Sequence, residues 1–144
     1  MMQMVYSSFG FLFAQASLMI QELLAAPLCK AGVNAKQMGL MFIVRDNGGI
    51  TQKNAGAMQR IDRTTMTQHV DALEKRGLLR RTPLAGDRRA HGLYLTEAGE
   101  RTVVELLAAL SEAQSAFFAD LPPARVEELR ELMIKLIKRE DNLL

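Results

Sequence analysis

The chain has 144 residues, 49% of them hydrophobic and 24% charged, a balance that builds a globular domain with a real core and excludes a disordered chain. Its single cysteine, Cys29, excludes a disulfide framework and any cysteine-pair metal site within one chain, as in a reducing cytoplasm. The formal net charge of +2 hides a local +4 between Arg60 and His91, eight basic side chains against four acids, which is the electrostatic footprint of a nucleic-acid reading head on a mildly acidic support.

Residues 4 to about 26 predict a first long helix, on which Phe9, Leu12, Phe13, Ala16, Met19, Ile20, Leu23 and Leu24 trace an apolar stripe too broad for one neighbour. No lysine or arginine precedes Lys30, so the basic start of a secretory leader is missing, and Gln15, Gln21 and Glu22 interrupt a membrane span. The expectation is a cytoplasmic protein with no membrane role. Pro27 and then Gly32 are expected to end this helix. Asn34 can cap the next, Ala35 to about Arg45, and Asn47-Gly48-Gly49 makes the turn after it. Ile50 predicts a short strand that joins a later strand pair, and Thr51 caps a small helix through about Met58.

Asp62 as N-cap and Gly77 as C-terminal stop define a helix from Arg63 to Arg76. Met66, Val70 and Leu73 recur at helical spacing and must face a core, which turns Thr64, Gln68, Asp71 and Lys75 to the opposite side, flanked by Thr65 and Thr67. Small hydroxyls and an amide suit the base edges of a major groove, although a solvated polar face has the same pattern. Leu78 to Thr82 and Leu93 to Leu95 read as paired strands. Between them PLAGDRRAHG is a loop too polar and glycine-rich for a core. Thr96 caps a fifth helix, with Val103, Leu107, Leu110 and Phe117 as its stripe to about Ala119; Leu121-Pro122-Pro123 breaks it. Pro123 opens a last helix to about 141, with Val126, Leu129, Met133, Leu136 and Ile137 on its apolar face.

A helix followed at once by a strand pair with an arginine-bearing tip is a winged-helix layout, and here the sequence resembles the MarR family of bacterial transcription regulators. The resemblance lies in Asp87-x-Arg89 followed after five residues by Leu95-Thr96-Glu97-Ala98-Gly99, in Asp62-Arg63-Thr64-Thr65, and in Leu73-Glu74-Lys75-Arg76-Gly77-Leu78. Gln37, Leu40, Met41 and Val44 are similar to the family's second helix. It implies a mainly α, winged helix-turn-helix fold with a small antiparallel β-wing and long N- and C-terminal dimerisation helices. The 63 to 76 helix would lie in a major groove, and Arg89 would reach into a minor groove while Asp87 braces it. The DNA-contacting set then comprises Arg63, Thr64, Thr65, Thr67, Gln68, Asp71, Lys75, Arg80, Arg81, Asp87, Arg88 and Arg89. Where the family usually has leucine and then alanine, this chain has Ala55 and Gly56, so the small helix is expected to be mobile or unusually close-packed. Gly39 and Gly92 are further departures, and the sequence assigns neither a role.

The reading is of one intertwined domain: residues 1–33 and 97–144 as a helical dimerisation region and 34–96 as the DNA-binding part. The expected partners are a pseudo-palindromic operator and a second copy of the chain, with a small apolar or aromatic effector implied by the resemblance. No catalytic constellation, phosphate loop or metal-ligand spacing is visible around His69 and His91, and no cofactor is expected. Two other classes stand beside a ligand-controlled repressor: a thiol switch using Cys29, and a protein-binding winged helix without a DNA role.

Overall fold

Among the described residues, 3–139 of this computed structural model with the backbone alone at Arg88, the chain forms six α-helices and one three-stranded antiparallel sheet. A 3-10 turn at Met4–Ser7 leads into α1 (Phe9–Ala31), then α2 (Ala35–Asp46), β1 (Ile50–Thr51), α3 (Gln52–Gln59) and α4 (Arg63–Lys75). The hairpin of β2 (Leu79–Leu84) and β3 (Asp87–Leu95) follows, then α5 (Glu97–Phe117) and α6 (Pro123–Lys138). The sheet order β1-β3-β2 puts β3 in the centre, with Ile50 opposite Leu93 and Leu79 opposite Leu95. This is a winged helix-turn-helix: α3 and α4 are the helix pair, and the β2–β3 hairpin is the wing.

Local chemistry sets most boundaries. Asn34 and Gln37 form a reciprocal capping box at the start of α2, each side chain taking the other's backbone amide at 2.8–3.0 Å. Asp62 caps α4 by accepting from the Thr65 amide at 2.9 Å and the Thr65 hydroxyl at 2.7 Å. These bonds, the amide's first, hold the Asp62 carboxyl below the usual aspartate range. The depressed pKa favours the folded helix start at pH above the ordinary aspartate value, and that contribution fades as the pH falls through the lowered one. Thr65→Val should therefore return Asp62 toward its ordinary titration, which an NMR pH titration of the Asp62 carboxyl would follow; an unmoved midpoint would remove the hydroxyl from the cap.

Three expectations need correction. The first helix begins at Phe9, because Ser8 adopts an extended backbone and caps the Phe11 amide, and it runs through Pro27 to Ala31. Proline removes one helical hydrogen bond, but Leu24 and Leu28 on either side of it are both buried and hold the turn in register. Gly32 closes α1 in the left-handed region (φ 70°), with the Val33 amide reaching back to the Leu28 carbonyl at 3.1 Å and both side chains buried. On α5 Val103 is buried and Leu110 packs on the core as expected, but Leu106 is buried in place of Leu107, which is 40% exposed. The wing strands extend far into PLAGDRRAHG, leaving Ala85-Gly86 as the turn; Pro83 is tolerated because β2 is an edge strand. The apolar face of α6 is left open, with none of its residues buried, and the expected end of that helix at about 141 lies outside the described residues.

Leu40, Met41, Val44, Met66, Val70, Leu73, Leu79, Leu93, Val103 and Leu106, all at most 1% exposed, form the core where α2, α4, α5 and the sheet converge. The small helix α3 is close-packed: Ala55 and Gly56 are buried, and a Cβ on Gly56 would stand 3.3 Å from the Ile61 carbonyl oxygen. Gly39 leaves room for Gln59, whose amide crosses from α3 to donate to the Lys36 carbonyl at 3.0 Å. Gly92 lets β3 approach the Gly49 backbone, which a Cβ would meet at 2.9 Å. The glycines that the sequence left without a role are thus contact points between elements.

Candidate nucleic-acid interface

The polar residues of α4 divide into two stripes. Thr64, Gln68 and Lys75 are exposed, with no hydrogen bond or ion pair among the described residues. Thr67, Asp71 and Glu74, spaced i, i+4 and i+7, face the neighbouring elements. The Thr67 hydroxyl accepts from Gln52 Nε2 at 2.6 Å and donates to the Arg63 carbonyl at 2.9 Å. Asp71 Oδ1 and Glu74 Oε1 hold the Arg81 guanidinium at 2.6 and 3.0 Å. The Thr65 hydroxyl is spent on Asp62. Of the helix residues singled out from sequence, Arg63, Thr64, Gln68 and Lys75 therefore remain open to an outside partner.

In the wing, Arg80 lies 4.8 Å from the centre of the Tyr94 ring, directly across the strand pair, and donates to the Thr82 hydroxyl at 2.5 Å. Its guanidinium is exposed but held in place. At the tip, Asp87 Oδ1 accepts the Arg89 backbone amide at 2.9 Å. The carboxylate thus braces the backbone of residue 89, not the guanidinium as expected, and the exposed Arg89 side chain has no protein partner among the described residues. The Arg88 side chain lies outside the described set. A cleft of about 830 Å³ separates the wing from α3 and the start of α4; Lys53, Arg63, Arg89 and His91 line it over a floor of Ile61 and Met66. A concave surface with this lining suits a polyanion chain that carries flat, partly apolar groups.

Sequence reasoning missed Lys53, Gln52 and Tyr94. Only the β2–β3 register sets Tyr94 opposite Arg80, and Lys53 reaches the cleft from a separate helix. Cys29 is exposed on α1, and His69 is half-buried beside Met66.

The profile of the MarR family matches residues 33–91, the segment that runs from the end of α1 through the wing tip. Over that segment the chain is similar to the MarR family. Among the relatives of the chain is a protein assigned as transcriptional regulator of the hcr operon in Thauera aromatica, 28% identical over 108 residues, covering 75% of this chain and 63% of that protein. Another is the HTH-type transcriptional regulator PecS of Dickeya dadantii (strain 3937), 30% identical over 89 residues, covering 60% and 54%. The chain spans less than two thirds of either relative's length. Among solved structures, the repressor CouR of Rhodococcus jostii RHA1 bound to a 23-mer DNA duplex shares the fold, with a TM-score of 0.83 at 22% identity over 94% of this chain and 98% of that one.

Proposed function

We propose that this protein is a homodimeric, sequence-specific DNA-binding regulator that represses transcription by occupying a pseudo-palindromic operator in the cytoplasm, under control of a small apolar or aromatic effector. The observation that carries the DNA reading is the exposed Arg89 on a braced wing tip, beside a reading face of Arg63, Thr64, Gln68 and Lys75, whose side chains, like that of Arg89, have no hydrogen-bond or ion-pair partner among the described residues. Residues 34–96 would read the DNA, and residues 1–33 and 97–144 would form the dimer. The dimer part is supported by apolar surface that one copy leaves open: Phe9 is 73% exposed, and Leu132, Leu136 and Ile137 on α6 are each more than half exposed. By length and composition α1 could also cross a membrane. A second copy of a helical support is the better cover, because Gln15, Gln21 and Glu22 lie within α1. The groove of about 530 Å³ between α5 and α6, lined by Phe118, Leu121 and Val126, is the effector site that this reading favours.

The test separates two kinds of contact on a duplex selected by the protein from a random library. Arg80→Ala should weaken selected and scrambled duplexes alike and flatten the salt dependence by about 0.9 of a log unit per log unit of salt. Thr64→Ala and Gln68→Ala should leave that slope alone and cost about 1–3 kcal/mol of discrimination per good contact. Footprints should come as paired half-sites about 34–36 Å apart. A lack of salt-dependent affinity for duplex DNA would refute the reading and leave a protein-binding winged helix in its place, and a single asymmetric half-site would refute the dimer.

A further inference from the structure

Arg81 lines the same basic cleft as Arg63 and Arg89, and a side chain there invites the assignment of a phosphate contact. Its surroundings argue against it. Nη2 lies 2.6 Å from Asp71 Oδ1 and Nη1 lies 3.0 Å from Glu74 Oε1, while the Arg81 backbone amide donates to Glu74 Oε2 at 3.2 Å. One guanidinium between two carboxylates is a group of net charge −1, which repels a phosphate. The arginine is also the most covered of the three, 25% exposed against 60% for Asp71 and 43% for Glu74.

The network continues past the charges. Arg81 Nη2 reaches Gln52 Oε1 at 3.4 Å, the other end of that amide donates to the Thr67 hydroxyl at 2.6 Å, and the hydroxyl donates to the Arg63 carbonyl at 2.9 Å. One chain of hydrogen bonds therefore joins the base of the wing on β2, the first residue of α3, and the α4 stripe that lies beside Thr64 and Gln68. The planar fork of the guanidinium reaches three acceptors from two separate nitrogens, whereas a lysine carries all its donors on one nitrogen and cannot span them in the same way.

We propose that Arg81 is a positioning residue for DNA reading: with Gln52 and Thr67 it fixes the angle of α4 against α3 and the wing, and it makes no contact with DNA itself. This rests on the DNA-reading function proposed above. Its effect falls on selectivity, because base-edge contacts depend on helix placement far more steeply than phosphate contacts do.

The experiment measures dissociation constants across a salt series for the selected and the scrambled duplex, with the parent and the Arg81→Ala, Arg81→Lys, Gln52→Ala and Asp71→Asn proteins. Arg81→Ala should lower the selected-to-scrambled ratio about tenfold or more with the salt slope unchanged, and Arg81→Lys should restore little of it. Gln52→Ala should lower the ratio in the same way, and adding it to Arg81→Ala should cost little more, as for members of one network. Asp71→Asn should also lose selectivity, whereas diffuse electrostatics predicts tighter binding for the loss of an acid. A slope flattened by about 0.9 with equal weakening on both duplexes would make Arg81 a phosphate contact and overturn the assignment. Should Arg81→Ala fail to fold, Gln52→Ala decides alone, since it leaves both ion pairs intact. A parent that selects no sequence overturns the DNA reading itself, an outcome distinct from a changed slope.

Discussion

Gly99→Ala is expected to destabilise the chain by about 3 kcal/mol or more, although alanine in place of glycine ordinarily favours a helix by about 0.5–1 kcal/mol. Gly99 is buried in the first turn of α5, and a Cβ there would overlap the Leu78 carbonyl oxygen and approach its carbon at 3.0 Å. No flexible side chain can yield, because the obstacle is backbone. That carbonyl also accepts the Thr96 amide at 3.2 Å, and the Thr96 hydroxyl caps the Gly99 amide at 3.0 Å while donating to the Gly77 carbonyl at 2.5 Å. Alanine must therefore lift α5 off the turn between α4 and β2 and break several hydrogen bonds together. The urea midpoint should fall accordingly, while the exposed Glu105→Ala change on the same helix should stay within about 0.5 kcal/mol of the parent. A shift under about 1 kcal/mol for Gly99→Ala would mean that the junction yields and the close contact is not structural.

Arg89→Ala is expected to cost about 2 kcal/mol of operator affinity, roughly thirtyfold, the scale of a charge-assisted hydrogen bond. Arg89→Lys should lose much of the same amount, since the charge survives and the planar fork does not. Asp87→Ala removes a negative charge from a loop proposed to face DNA, and simple electrostatics predicts a gain. The geometry predicts a loss, because Asp87 holds the backbone amide of residue 89 and so sets where the guanidinium starts. Titration of the three variants against one selected duplex at fixed salt decides between them. Tighter binding by Asp87→Ala together with parental binding by Arg89→Lys would reduce the wing to a diffuse basic patch.

The sequence was most legible where the determinants are local. Asp62 and Gly77 bracket α4 by the chemistry of one turn each, and Asn34 with Gln37 does the same for the start of α2. It misled where a neighbour decides. Pro27 reads as a helix end, yet burial of Leu24 and Leu28 carries α1 through it. Leu107 and Leu106 are equally apolar, and only packing on the rest of the core chooses Leu106. The wing loop looked long because its arginines and glycines are polar or flexible, whereas cross-strand hydrogen bonds extend the ladder as far as Leu84 opposite Asp87. In the candidate site, the basic character of residues 60–91 and the exposed face of α4 could be read directly. The difference between Arg80 on Tyr94 and Arg81 between two carboxylates could not, because those partners come from other elements at separations that carry no periodic signature.

The strand order β1-β3-β2 also sets one local pairing beside one distant pairing. The β2–β3 hairpin closes on a two-residue turn and can form within microseconds, before most tertiary contacts exist. The two residues of β1 must wait for a partner roughly 40 positions later, and loop closure over that length costs on the order of 3 kcal/mol, more than so short a ladder returns by itself. The bond from the Gly49 amide to the Leu93 carbonyl at 2.9 Å is therefore expected to depend on the packing of α2, α3 and α4 around it. The β1 edge of the wing sheet is thus expected to open before the β2–β3 hairpin, and hydrogen exchange at the Gly49 amide would report whether the helices around it are packed.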